Sequence, residues 1–175
     1  MKRCVIDTNV LVTANKALFC DVNDDVLKYP KLLENCVSIL QEIIKKHIFV
    51  VLDTDDEIIE EYKPYLDFSG QPGVGDMFFK WLHDNRYSFP DSERICLHKT
   101  ADGYIEFPVE LREMNVDPSD MKFFAVSYAH PSKPVILEAT DAKWWHWTEV
   151  AMKCGIHVKF IDEEYIRDHI DCENN

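Results

Sequence analysis

The chain has 175 residues, a length that fits one domain around a single core. Hydrophobic residues make up 46% and aromatic residues 12%, without repeats or low-complexity tracts, which excludes a disordered or fibrous protein. The formal net charge of −13 argues against binding of nucleic acid by the surface as a whole. We therefore expect one domain over residues 1–175.

Membrane segments and soft metal sites are not indicated. The apolar runs are too short to span a bilayer and the N-terminus lacks a signal-peptide pattern, so we expect a cytoplasmic protein without membrane contact. No CxxC or HxxxH pattern occurs, which leaves carboxylates as metal ligands and favours a hard cation. The cysteines, expected to be reduced and mostly buried, are Cys4, Cys20, Cys36, Cys96, Cys154 and Cys172.

The first part of the chain alternates strand and helix. Residues 3–6 are apolar and β-branched, which predicts a strand covered on both faces, and a helix or turn follows over 8–18. The acidic stretch 21–25 predicts a loop. Apolar residues at helical spacing over 30–46, with proline first and lysines last, predict a long amphipathic helix.

A second strand-to-helix unit follows. Residues 48–53 predict another buried strand that ends in an acid. Thr54 and Glu57 form a T-x-x-E capping box, which predicts that a helix starts there and ends near Pro64. We interpret residues 69–114 as an insertion beside the sheet, with a loop, a short helix and a hairpin at its Asp-Gly pair.

The last part repeats the alternation. Asp117 before Pro118 predicts a helix start, with Asp120 in the first turn. The overall order favours an α/β fold with a parallel β-sheet covered by helices on both faces. The predicted elements are a helix over 117–129, a strand over 134–137, a helix over 142–154, a strand over 156–161 and a terminal helix.

Acidic residues follow three of the predicted strands. Asp7, Asp53 and Asp141 fall at the carboxyl edge of the sheet, where α/β proteins place their functional crevice. Glu61 and Asp120 lie on helices that can face the same edge. Carboxylates that converge in one cleft repel each other, and a bound Mg²⁺ or Mn²⁺ ion would relieve that repulsion.

Four motifs taken together resemble the PIN domain, a metal-dependent nuclease family. They are VIDTNVLV, EIIEEY, DPSDMKFFAVSYA and ILEATDAKWW, in the family's order and spread over most of the chain. The resemblance implies a PIN-like fold with residues 69–114 as a variable insertion. It places the family's catalytic, metal-binding acids on Asp7, Glu61, Asp120 and Asp141.

The second acid of this set is open between three residues, because Glu57, Glu60 and Glu61 lie within one helical turn. We prefer Glu61, since the acid before an aromatic residue best matches the family pattern, and treat Glu57 as supporting. Asn9 is expected to brace a neighbouring acid or loop. Where the family often carries a further acid, this chain has Lys143, which leaves one or two metal ions open and could help neutralise a phosphate.

The implied activity is hydrolysis of phosphodiester bonds by water that Mg²⁺ or Mn²⁺ activates. We expect a single-strand endoribonuclease of a toxin or defence type, with RNA preferred over DNA as substrate. Because the chain is so acidic, a basic protein partner such as an antitoxin, or a homo-oligomer, could supply the positive surface.

Several alternatives remain at this point. The chain could be a non-catalytic PIN-like protein-interaction module or a DNA-directed PIN-like nuclease. A haloacid-dehalogenase-type phosphatase is disfavoured. That chemistry needs a DxD motif, and this chain has Asn9 at the position of the second aspartate. Trp144, Trp145 and Trp147 could stack on a base, but three residues within four cannot share one helical face, so at least one should lie in the core.

Overall fold

The computed structural model describes residues 2–18, 24–67 and 71–170. Its strands are β1 (Arg3–Ile6), β2 (Phe49–Val50), β3 (Leu52–Asp53), β4 (Arg94–Ile95), β5 (Lys99–Thr100), β6 (Gly103–Tyr104), β7 (Val135–Glu138) and β8 (Val158–Phe160). Its α-helices are α1 (Thr8–Lys16), α2 (Pro30–Lys45), α3 (Glu57–Tyr62), α4 (Val74–Asn85), α5 (Val109–Arg112), α6 (Met121–Ala129), α7 (Thr148–Lys153) and α8 (Glu163–His169). Short 3-10 helices cover Asp25–Lys28, Arg86–Ser88, Asp91–Glu93 and Ala142–Trp147.

The molecule is an α/β protein built on a parallel sheet, as predicted. Four strands lie in the order β2-β1-β7-β8, and every neighbouring pair is parallel. The chain leaves β1 for β2 on one side, whereas β7 and β8 lie on the other side. The direction of winding therefore reverses between β1 and β7, which is where open α/β sheets form a crevice at the carboxyl ends of their strands.

The predicted strand over 48–53 divides into two. β2 pairs with β1 in the main sheet, whereas β3 pairs with β4 in a separate two-stranded sheet. The capping box predicted for α3 does not form, because Asp56 precedes the helix with a φ of 60° and makes no side-chain cap. Asp53 takes that role instead, as its oxygens accept the N–H groups of Asp55, Glu57 and Ile58 at 2.8–2.9 Å.

The helix predicted from residue 117 begins later, at Met121. Residues 117–120 form a turn instead of the first turn of a helix. In this turn the Asp117 carboxylate accepts the Ser119 N–H at 3.0 Å and the Asp117 carbonyl accepts the Asp120 N–H at 2.9 Å. Asp120 thus sits immediately before α6, and the turn positions its carboxyl group.

The middle segment contributes a helix to the body of the protein. α4 packs against α1 and α2, and begins two residues before the predicted DMFFKWLHDN helix. A Cβ atom at Gly75 would lie 2.0 Å from the Leu11 carbonyl oxygen, so only glycine allows this approach of α1 and α4. The hairpin is confirmed, with Thr100 opposite Gly103, whose φ is 115°.

Two of the three clustered tryptophans are core residues. Trp144 is fully buried and stacks on Phe124 with ring centroids 4.5 Å apart, and Trp147 is buried beside them. Base stacking by these two side chains is therefore excluded by their burial. Trp145 is half-buried against Phe160, 5.6 Å between centroids.

Other expectations are met in part. The described cysteines are free thiols, with Cys4 and Cys36 buried, Cys154 half-buried and Cys96 exposed. Cys20, Cys172, most of the loop predicted at 21–25 and the first two residues of the loop predicted at 69–75 lie outside the described residues. Among the helices of the described segments, none combines the length and apolarity needed to cross a membrane.

Candidate functional site

A polar cavity of about 260 Å³ lies at the carboxyl ends of β1 and β7. Asp53 does not line this cavity, because its carboxylate is fully buried in the cap of α3. The lining residues are Asp7, Thr8, Asn9, Val12, Glu61, Tyr65, Ser119, Asp120, Asp141 and Lys143.

Asp7 lies at the point where β1 becomes α1. Its backbone N–H continues the sheet by donating to the Leu137 carbonyl at 2.9 Å, and its carboxylate caps α1 by accepting the Asn9 N–H at 2.7 Å. This contact is made by the main chain of Asn9, whereas the predicted brace was assigned to its side-chain amide. Burial raises the pKa of Asp7 to about 6, because its ionised form is held away from water.

Glu138, the last residue of β7, was missed by sequence reasoning. It is fully buried, and its Oε1 atom accepts the backbone N–H groups of Ala139, Thr140 and Asp141 at 2.8, 3.0 and 3.0 Å. These bonds shape the loop that presents Asp141. The only sequence signal was an acid inside the apolar run VILE, which is costly unless its polar atoms are satisfied.

Glu138 and Asp7 form a buried carboxyl pair. Burial, then the charge of Asp7 and the hydrogen bond between the two groups, raise the pKa of Glu138 well above its usual range. Glu138 is therefore the member of the pair that holds a proton while Asp7, the more acidic of the two, is ionised.

Asp120 faces the same cavity from the turn before α6. It is buried, and its Oδ2 atom receives no hydrogen bond from the described residues, although the ammonium group of Lys143 lies 3.2 Å away. Burial, followed by the charge of Asp7, raises the pKa of Asp120 to about 7. The site thus holds more negative charge than its surroundings neutralise.

Lys143 is the main cation of the cavity. Its Nζ atom lies 2.9 Å from Asp141 Oδ2, 3.2 Å from Asp120 Oδ2 and 3.5 Å from Asp117 Oδ2. Burial lowers the pKa of Lys143, but the carboxylates of Asp141 and Asp120 outweigh that effect and raise it above its ordinary value. The side chain is therefore a permanent positive charge among three acids.

Glu61 is the one of the three α3 candidates that lines this cavity. It accepts a hydrogen bond from the Thr8 hydroxyl at 3.3 Å and pairs with Lys122, a second lysine that sequence reasoning did not identify. Glu57 and Glu60 line a different cavity, where Glu57 pairs with Lys99 at 3.1 Å. The supporting role predicted for Glu57 is therefore not supported by its position.

No family model, curated protein or solved structure matches the chain. The PIN resemblance accordingly stays a prediction that rests on the four motifs and their order.

The side chains of the cavity offer the oxygen donors that a hard divalent cation prefers. All donors are carboxylate or hydroxyl oxygens, and the neighbouring acids add to the rise that burial causes in the pKa values of Asp7 and Asp120. Across residues 2–18, 24–67 and 71–170, however, no three His, Cys, Asp or Glu side chains are arranged as a ready-made metal site. The acids are spaced around lysine ammonium groups, and an ion would enter by displacing those contacts.

Basic residues gather away from this cavity. Lys2, Arg3, Lys46 and His47 line a separate cavity of about 190 Å³ at the start of β1 and β2, the opposite edge of the sheet. Among the described residues, the cations that border the acidic cavity are themselves paired with its acids. The positive surface that a polyanion needs is therefore not provided beside the acids.

Proposed function

We propose that this chain is a PIN-like nuclease that hydrolyses phosphodiester bonds with Mg²⁺ or Mn²⁺. The observation that carries the proposal is the convergence of Asp7, Glu61, Asp120 and Asp141, from four separate segments of the chain, on one cavity. Such convergence at a topological switch point is typical of a functional crevice. RNA as the substrate, action as a single-strand endoribonuclease of a toxin or defence type and a cytoplasmic location are parts of the same proposal.

Asp7, Asp120 and Asp141 would hold the metal, with Glu61 available once it leaves Lys122. A bound Mg²⁺ or Mn²⁺ lowers the pKa of coordinated water and stabilises the oxygen that leaves. Glu138 positions Asp141 by accepting the three N–H bonds of the loop that carries it. Tyr65 lines the rim and is 63% exposed, so its ring can stack on a base of a single strand.

The charge of the chain restricts how a polyanion could be bound. With −13 overall and its basic cavity at the other sheet edge, the chain needs a basic protein partner, such as an antitoxin-like chain, or a second copy to extend the positive surface.

The test is cleavage of end-labelled single-stranded RNA, single-stranded DNA and structured RNA with Mg²⁺ or Mn²⁺. Asp7→Asn and Asp120→Asn should each lower the rate roughly 100-fold or more, because each removes a charge that stabilises the reaction. Glu60→Gln is the matched control for Glu61→Gln, since both lie on α3 but only Glu61 lines the cavity. Equal rates in the Asp7 and Asp120 variants and the wild type would reveal a contaminant and refute the assignment.

One observation favours a second candidate, a non-catalytic protein-interaction module. Glu61, Asp120 and Asp141 are already paired with Lys122 or Lys143, so the cavity is partly neutralised without a metal ion. A folded wild-type protein that cleaves none of the substrates, and whose unfolding temperature Mn²⁺ does not change, would support this alternative.

A further inference from the structure

A thiol, an imidazole and a carboxylate meet beside the hairpin of β5 and β6. Cys96 and His98 lie in the segment that links β4 to β5, and Glu106 follows β6. Leu97 is buried, whereas its neighbours Cys96 and His98 are both exposed, so the alternating chain turns the thiol and the imidazole to the same side. This cluster is separate from the residues that line the acidic cavity, and it is independent of the proposed function.

Glu106 holds His98 with both of its carboxylate oxygens. Oε2 accepts the His98 backbone N–H at 2.9 Å, and Oε1 lies 2.5 Å from the ring Nδ1. Burial raises the pKa of Glu106, but the hydrogen bonds from His98 outweigh burial and lower it, so the carboxylate is ionised. An ionised carboxylate accepts the Nδ1 proton, which leaves Nε2 of the neutral ring as a hydrogen-bond acceptor.

The thiol of Cys96 faces that acceptor. Its Sγ atom lies 3.8 Å from Nε2 of His98, within reach of a sulfur hydrogen bond. The imidazole can therefore take the thiol proton, and Glu106 stabilises the imidazolium that results. A thiolate, not a thiol, is the nucleophile in cysteine chemistry, so this chain of contacts favours a reactive Cys96.

The other described cysteines lack these features. Cys154 is half-buried and its Sγ donates to Glu110 at 3.5 Å, and burial together with that hydrogen bond raises the pKa of its thiol. Cys4 and Cys36 are buried. Within the described segments, exposure and a histidine partner thus coincide at Cys96.

We propose that Cys96 forms a mixed disulfide with small disulfides of the glutathione type, with His98 as its base and Glu106 as a positioning residue. Thiol–disulfide exchange depends on an accessible thiolate and on a leaving thiol that is readily released. It needs no oxyanion hole, in contrast to acyl transfer. The exposed sulfur and its adjacent base are therefore sufficient for this reaction.

The reaction balances with His98 as a proton carrier. The Sγ atom of Cys96 attacks one sulfur of the small disulfide while Nε2 of His98 takes the thiol proton. The disulfide bond breaks with its electron pair on the leaving sulfur, which then takes the proton from His98. The products are one mixed disulfide at Cys96 and one small thiol, so the two electrons that Cys96 loses reduce the leaving sulfur.

Thiolation of the full, reduced chain by glutathione disulfide is the test, with each cysteine followed by peptide mass spectrometry. Cys96 should react about tenfold faster than Cys154 at neutral pH. His98→Gln should slow Cys96 about tenfold, because it removes the base. Glu106→Gln should do the same, because its amide donates to Nδ1 and turns Nε2 from an acceptor into a donor. His146→Gln, at an exposed histidine after β7, is the matched control and should react as the wild type does.

A second disulfide distinguishes proton transfer from a structural role. Dithiobis(nitrobenzoic acid) is an aromatic disulfide whose leaving thiolate stays ionised in neutral water, so it needs no proton from His98. His98→Gln and Glu106→Gln should therefore slow this reaction less, about threefold. A distorted hairpin would instead slow the reactions with both disulfides alike, and that result would refute the proton-transfer role.

Two further results would overturn the proposal. Equal Cys96 rates in the wild type, His98→Gln and Glu106→Gln, with unchanged circular dichroism, would show that the two side chains do not activate the thiol. In the wild type alone, a Cys96 rate no higher than that of Cys154 would refute the reactive thiol, whatever the variants do.

Discussion

Glu138→Ala should lower the free energy of unfolding by about 3–5 kcal/mol, because three N–H groups lose their acceptor and a cavity replaces the buried side chain. The N–H groups belong to Ala139, Thr140 and Asp141, and all three bonds end on the same Oε1 atom. Since these bonds hold the loop that carries Asp141, Mn²⁺ affinity should fall in parallel. Urea unfolding, followed by circular dichroism, measures the first effect.

Glu138→Gln separates hydrogen bonding from charge. Glu138 is held in its protonated form by burial and by the charge of Asp7, so an amide resembles the group that is present. Its carbonyl oxygen can accept the three N–H bonds, and its NH₂ group can donate to Asp7. The glutamine variant should therefore unfold within about 1 kcal/mol of the wild type at neutral pH. Equal destabilisation by glutamine and alanine would contradict the role assigned to Glu138.

The sequence predicted those elements whose signals are local. The helical spacing of apolar residues after Pro30 yields α2 with the predicted start, and the apolar residues before Asp7 yield β1. Because parallel strands bring their carboxyl ends together, the position of Asp7 and Asp141 after predicted strands placed both at one edge of the sheet. The same reasoning misplaced Asp53, because its carboxylate accepts hydrogen bonds from nearby backbone N–H groups instead of facing the cavity.

The features that sequence reasoning missed depend on distant contacts. Lys122 and Glu61 are 61 positions apart, and their pairing arises only because α3 packs near α6. The Asp-Pro signal at residue 117 was ambiguous, since the same residues cap a turn as readily as a helix. Glu138 could not be told from a strand boundary without knowing that the following loop turns its N–H groups back on it.

The buried acids of this cavity lower the stability of the folded state, as is common at functional sites. The folded state binds protons at Asp7 and Asp120 that the unfolded chain releases, because their pKa values rise from 3.8 to about 6 and about 7. Between these limits the folded state carries more protons than the unfolded state, so its stability falls as pH rises. A metal ion bound to the acids would reverse that loss by stabilising their ionised forms.

Asp120→Asn should therefore stabilise the chain at alkaline pH in the presence of a chelator, while it abolishes metal binding. One pKa unit corresponds to about 1.4 kcal/mol, so a rise from 3.8 to about 7 costs the wild type up to about 4 kcal/mol above neutral pH. Near pH 4 only the unfolded wild type has begun to lose this proton, so the variant should be more stable than the wild type by less than about 1 kcal/mol. The difference should open between about pH 4 and pH 7 and then stay constant.

Asp117→Asn, three residues away, is a control in which the stability at alkaline pH should change in the opposite direction. The hydrogen bonds from the Ser119 side chain and backbone lower the pKa of Asp117, so its ionised form stabilises the fold above the unfolded pKa and that contribution is lost as pH falls. The Asp117 variant should thus be slightly less stable than the wild type at alkaline pH. Urea unfolding from pH 4 to pH 8 measures both variants, and an Asp120 variant that is less stable at every pH would contradict the buried-charge account.

Added Mn²⁺ should stabilise the wild type but not Asp120→Asn, because a divalent ion needs the carboxylate that the variant lacks.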